Sequence, residues 1–210
     1  MKYPLIFAVA LSFLLPLQSR AMDCAKAVTS VEKMICADPE LRQLDALLNK
    51  DYPGYAEKQG QARARSLQTD WLRQRDACAA APCLKEAYTK RIRELSGAEK
   101  IFIFRQAAPG WDIFIAATGC GKKSYSDDCE DAATVDIFAK DSDTPFQRIN
   151  MPELFVEVDK SGGTTVNTIQ VYGDYNSCLV MDDYNFDGHA DLALRNGNNG
   201  GYGGPSYDIR

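Results

Sequence analysis

"IRELSGAEKIFIFRQ", residues 92 to 106, carries two periodicities that cannot belong to one element. Before Gly97, Ile92 and Leu95 continue a helical spacing begun at Leu84 and Tyr88. From Lys100 the spacing shortens to two, in residues that are β-branched or aromatic. Gly97 suits the end of a helix, because it enters the left-handed region without a Cβ clash. The switch predicts an α+β chain, with helices before Gly97 and antiparallel strands after Lys100.

Working back from Gly97, the first half reads as helices. "TSVE" (29–32) is a capping box, in which Thr29 and Glu32 satisfy each other's backbone amides. "ADPE" (37–40) places Asp38 as a helix cap and Pro39 in the first helical turn. Leu41, Leu44, Leu47, Leu48 and Tyr55 follow at helical spacing, and Pro53-Gly54 predicts a break or kink. A second long helix is expected from about residue 61 to 78, burying Leu67, Trp71 and Leu72. "AAAPC" then turns the chain into the helix that ends at Gly97. Cys24, Cys36, Cys78 and Cys83 are expected to staple this small unit, whose core alone is modest. Four cysteines allow three pairings, and the spacing does not choose among them. The unit has no His, which weakens a zinc reading.

Working forward, "WDIFIAA", "TVDIFAK", "LFVEVDK", "NTIQVYG", "SCLVMDD" and "DLALRN" are short strand-like segments. Turn clusters such as "APG", "KSGG" and "GDYNS" separate them, which predicts an all-β antiparallel domain. Sandwich, barrel and small propeller share this pattern. Cys120 and Cys129 flank the polar stretch "GKKSYSDD" and are expected to close it as a local bridge, with Cys178 as the odd thiol.

Residues 1–21 read as a secretory leader: Lys2, the apolar run "PLIFAVALSFLLPL", then "SRA" with a small residue at the cleavage point. Cleavage after Ala21 leaves Met22 first. A lipoprotein signal would need a small residue before Cys24, where Asp23 stands, so a soluble exported protein without a membrane anchor is expected. Export and seven cysteines together imply disulfides. Seven is odd, and "SYDIR" stops in a strand pattern. Both features predict a fragment whose missing end carries an eighth Cys. From Met22 to Gly97 there are 13 Lys plus Arg against 11 Asp plus Glu, net +2; from Ala98 onward 9 against 18, net −9. An acidic second half disfavours nucleic acid as a partner and favours a cationic protein.

"DYNFDGHAD" (183–191) places Asp183, Asn185 and Asp187 at positions 1, 3 and 5 of a D-x-N-x-D-G loop. Gly188 allows the sharp turn, His189 would offer its carbonyl, and Asp191 falls at position 9. Position 12 is Leu194 where an EF-hand has Glu, so the expectation is an EF-hand-like Ca²⁺ loop leading into a strand. Oxygen-only ligands favour Ca²⁺ over transition metals. The bland alternative is a solvated Asx-turn. His189 is the sole His, which removes Ser-His-Asp and multi-His zinc mechanisms. A carboxylate pair could still serve a glycosidase, though no pair stands out. The next stretch, "GNNGGYGGPSYD" (197–208), sets Tyr202 on a thin backbone beside Gly203, with Tyr207 further on. Such a loop costs entropy to order and suits entry into a cleft; a wide hairpin packed back on the sheet is the alternative.

These residues resemble known families. "DCAKAVTSVEKMICADPELRQLDALLNKDY" with "WLRQRDAC…CLKEAYTKRIREL" resembles the LprI-type domain of bacterial lysozyme inhibitors. "LVMDDYNFDGHADLALRNGNNGGYGGPSYD" resembles periplasmic calcium-binding inhibitors that act as immunity proteins against secreted lysozyme-like effectors. The resemblance implies a helical LprI-like domain over 22–97 and a calcium-bearing β-domain over 98–210. It also implies a non-catalytic inhibitor whose partner is a lysozyme-like peptidoglycan hydrolase; the loop's chemistry and its place after the 183–191 loop make Tyr202, Gly203 and Tyr207 the expected inhibitory loop. A calcium-dependent envelope or glycan-binding adhesion module, and a carboxylate-pair wall hydrolase, are the competing classes.

Overall fold

The computed structural model describes residues 21–122, 127–168, 177–197 and 204–210; the expected leader through residue 20, "NTIQVYG" from residue 169, and Tyr202 with Gly203 lie outside them. The described residues form four helices followed by antiparallel strands. A short 3-10 turn, Cys24–Lys26, leads into α1 (Ser30–Ala37), α2 (Pro39–Gln59), α3 (Gln61–Asp76) and α4 (Ala81–Ser96). The caps form where the sequence places them. Thr29 Oγ1 accepts from the Glu32 amide at 3.1 Å, and Glu32 Oε2 accepts from the Thr29 amide at 2.8 Å. Asp38 Oδ1 accepts from Glu40 N at 2.9 Å, with Pro39 next to it in the first turn. Gly97 ends α4 with φ +80°.

Two expectations fail in this half. The break expected at Pro53-Gly54 does not form: helix α2 continues through both residues to Gln59, with Gly60 as its cap at φ +84°. Proline removes one amide donor, at a cost of about 3 kcal/mol. Buried residues on both sides, Leu47, Leu48 and Ala56, hold the helix together across that gap. Leu67 is 36 % exposed rather than buried, because it sits on the rim of a groove of about 230 Å³ between α3 and α4. Disulfides Cys24–Cys36 and Cys78–Cys83 settle the pairing left open by spacing.

Strands β1 (Lys100–Ala108), β2 (Trp111–Ala117), β3 (Cys129–Ala139) and β4 (Pro145–Val156) form an antiparallel meander. Strands β5 (Leu179–Asp182), β6 (Asp191–Gly197) and β7 (Ser206–Ile209) form a second antiparallel sheet. Strand β2 is buried on both faces, since Asp112, Ile113, Phe114 and Ile115 are all inaccessible. The reason is layering. One face of the four-stranded sheet puts Ile113, Ile115, Val135 and Ile137 into a core shared with Leu179, Leu192 and Leu194 of the second sheet. The other face puts Phe114 and Phe138 into the helical core, against residues such as Leu44, Leu47 and Ile92. Helices, first sheet and second sheet therefore stack as three layers, and the helical core is incomplete without the two phenylalanines.

Polar groups stitch the helix–sheet seam. Gln43 of α2 is fully buried and satisfied: Nε2 donates to Asp112 Oδ2 and to the Ser142 carbonyl, each at 3.1 Å, and Oε1 accepts from Arg105. Arg148 of β4 holds Asp136 across the sheet with two bonds of 2.7 Å and reaches Asp51 of α2 with a third. Burial pushes the Asp51 carboxyl upward, against the pull of Arg148.

Candidate functional site

The D-x-N-x-D-G stretch is the connection between β5 and β6, whose ends Asp182 and Asp191 are cross-strand partners. Its side chains fold onto its own amides. Asp183 accepts from Asp187 N at 3.0 Å through Oδ1 and from Gly188 N at 2.9 Å through Oδ2. Asn185 Oδ1 accepts from Asp187 N at 2.9 Å, and Asp187 Oδ1 accepts from His189 N at 2.8 Å. Asp191 Oδ2 accepts from Tyr184 N at 3.0 Å and Asn185 N at 3.3 Å, which closes the loop onto the start of β6. Gly188 takes φ +87°, as its place in the motif requires, and Phe186 takes φ +60°. The amide of His189 lowers the Asp187 pKa by favouring the carboxylate.

Asp183, Asn185, Asp187 and Asp191 are thus brought into one turn, with His189 inside it. Among the described residues, no three His, Cys, Asp or Glu side chains gather into a ready metal cage. The donor chemistry fits a hard cation nonetheless. All side-chain donors are oxygens, and each carboxylate keeps lone pairs beyond those given to amides.

Of the residues assigned to the neighbouring loop, Tyr202 and Gly203 lie outside the described residues. Tyr207 sits in β7, half-buried, and its hydroxyl donates to the Ser177 carbonyl at 2.9 Å. Burial raises its pKa. Tyr207 is therefore anchored to the sheet and marks the base of the loop.

The sequence reading passed over two residues here. Arg195 of β6 is buried, pairs with Glu157 at 2.6 Å and lies 4.3 Å over the Phe155 ring. Its signal was a lone cation within the apolar strand "LALRN". Phe186 is 90 % exposed in the 183–191 loop. An aromatic between Asn185 and Asp187, where no core could reach it, was the available clue.

The remaining cysteines behave as structural groups. Cys120 and Cys129 are bridged. Cys178 is buried, and desolvation pushes its thiol up to about 12, which leaves it protonated and unreactive at neutral pH. Among the described residues, no helix is long and apolar enough to cross a membrane.

Comparison with known proteins places the helical half. The family described as "Lysozyme inhibitor LprI" matches residues 22–95. "Lipoprotein LprI" of Mycobacterium bovis and of Mycobacterium tuberculosis is 32 % identical over 88 residues, which is 40 % of this chain. The chain spans 45 % of the length of those curated relatives. A solved chain described as "Structure of a Xanthomonas Type IV Secretion System related protein" is 22 % identical. It covers 52 % of this chain and 50 % of its own, with a TM-score of 0.39, a partial likeness only. Residues 22–95, with their four helices and two disulfides, are the part of the chain that matches the LprI family.

Proposed function

We propose that this chain is an exported, non-catalytic inhibitor of lysozyme-type peptidoglycan hydrolases that works in the periplasm. The observation that carries the reading is the LprI domain at residues 22–95, whose family description is that of a lysozyme inhibitor. The leader-like start and the disulfides suit export. The net charge of −9 after Ala98 suits a basic partner, because opposite charge steers encounter. His189, the sole His, stands in an exposed loop whose neighbours are tied to backbone amides, so it has no catalytic company there.

Ca²⁺ belongs to this proposal. Asp183, Asn185, Asp187 and Asp191 would supply side-chain oxygens and His189 its carbonyl. When bound, the ion supplies charge that draws these groups together and fixes the start of β6. Strand β6 ends at Gly197, where the Gly-rich loop begins, so a fixed strand limits what that loop must lose on binding. Tyr202 is the proposed anchor for the hydrolase cleft, beside Gly203, with Tyr207 pinning the return.

A cell-wall turbidity assay with a panel of lysozymes tests the reading. Slower lysis in the presence of the protein supports inhibition. Lysis caused by the protein alone would make it a hydrolase, and no effect on lysis would favour an adhesion module. Tyr202→Ala should weaken inhibition about tenfold or more, as expected of an aromatic anchor. Equal inhibition by Tyr202→Ala would move the inhibitory element to the helical domain.

A further inference from the structure

Asp45 lies in the second turn of α2 and is 5 % exposed, inside the helical core. Its carboxylate is surrounded by neutral donors. Tyr88 Oη donates to Oδ1 at 2.8 Å, Met22 N donates to Oδ2 at 2.7 Å, and Asn49 Nδ2 lies 3.2 Å from Oδ2. The charged group facing it is Arg75 of α3, which acts on it through space while its guanidinium pairs with Asp76 at 2.7 Å. Burying a carboxylate without a direct cation is costly, and the usual remedy is an ion pair. Ala21 and Met22 pack against this same core, so the backbone at Met22 is held in place rather than passing by.

The residue donating to Asp45 is also the one that follows the leader. Hydrolysis of the Ala21–Met22 bond by a leader peptidase adds one water. The leader departs with the Ala21 carboxylate, and Met22 N takes up protons to become an ammonium. One neutral amide donor, already 2.7 Å from a buried carboxylate, becomes a cation with three donors.

We infer that Asp45 is a receptor for the mature amino terminus, and that leader removal gives Asp45 the direct cationic partner it lacks. The inference rests on the reading that cleavage follows Ala21. Burial raises the Asp45 carboxyl while Met22 N is still an amide, which fits a site awaiting positive charge. The ammonium would join α2 and α4 through the Asp45–Tyr88 bond and tie the Cys24–Cys36 loop to both. Processing then completes the fold as well as releasing the chain.

The sign of the pH dependence follows. An α-amino group normally titrates at about 7.7–8.0, and pairing with Asp45 raises that value. The stabilisation is complete below the ordinary value and is lost as pH rises through the raised one. Tyr88 titrates well above that window, because burial beside Asp45 holds it up, and the guanidinium of Arg75 stays charged throughout.

The test uses the full chain exported with its own leader. Amino-terminal sequencing of the periplasmic protein is expected to begin at Met22, and any other start overturns the leader reading itself. For protein that begins at Met22, the α-amine should react with an acylating reagent at pH 8 at least tenfold more slowly in the native than in the urea-unfolded state. Asp45→Asn should abolish that protection. Between pH 7 and 10 the melting temperature of the wild type should fall, and that of Asp45→Asn should stay level. A Met22 terminus that is as reactive native as unfolded would sink the capture and leave the cleavage site standing. The native-versus-unfolded comparison needs no variant, so it decides the matter even if Asp45→Asn does not fold.

Discussion

The helix–sheet seam and the 183–191 loop both concentrate carboxylates, and they treat them in opposite ways. At the seam, Asp112 and Asp136 are buried, and each is held by an arginine. In the loop, Asp187 is exposed and Asp183 half-buried, and both are held by backbone amides of their own turn. The seam spends its charges on joining elements far apart in the chain. The loop uses its charges to order a single turn. The contrast teaches that burial, more than residue type, decides whether an acidic residue joins distant elements or orders its own turn.

The largest effect is expected at the seam. Arg148→Met strips Asp136 and Asp51 of their shared guanidinium and leaves buried charge uncompensated. Breaking a buried pair in this way costs about 3–5 kcal/mol, readable as a lower urea midpoint. A loss under ~1 kcal/mol would mean that the seam is far wetter than its burial implies, and the contrast with the loop would dissolve. Next comes the staple beside it. Replacing Cys24 and Cys36 together by Ser should cost roughly 2–3 kcal/mol, since the bridge closes a loop of moderate length in the unfolded chain. Urea unfolding of the oxidised variant and wild type side by side measures it. The smallest effect belongs to the loop. Millimolar calcium should raise the wild-type melting temperature by about 2–4 °C and leave Asp187→Ala unmoved. No shift in the wild type, with no heat of binding, would return the loop to a plain Asx-turn.

Legibility followed the range of the interaction. Thr29 with Glu32, and Asp38 with the Glu40 amide, act over two or three residues, so their letters announced the caps. The loop was readable for the same reason, since its four oxygen-bearing side chains lie within nine residues and accept from amides of the same turn. Pro53 misled because propensity is a local term, while the packing of Leu48 and Ala56 that overrides it is not. Leu67 misled likewise, since helical spacing names a face but not the edge of the groove that face meets. Phe186 and Arg195 stood in plain view without a periodic pattern to mark them.

By itself the sequence determined the change from helix to strand at Gly97, the capped helix starts, the resemblance to the LprI domain and the oxygen-rich make-up of the 183–191 loop. All of these depend on neighbours along the chain or on charge summed over a segment. Only the tertiary structure decided that the two halves share a core through Phe114 and Phe138, and that Gln43 meets Asp112 across 69 residues. The same is true of Arg148 reaching Asp51 across 97, and of Asp45 facing Met22. Strand periodicity tells which residues share a face, but what covers that face is chosen by the packing of distant elements, where shape and buried charge must be satisfied together.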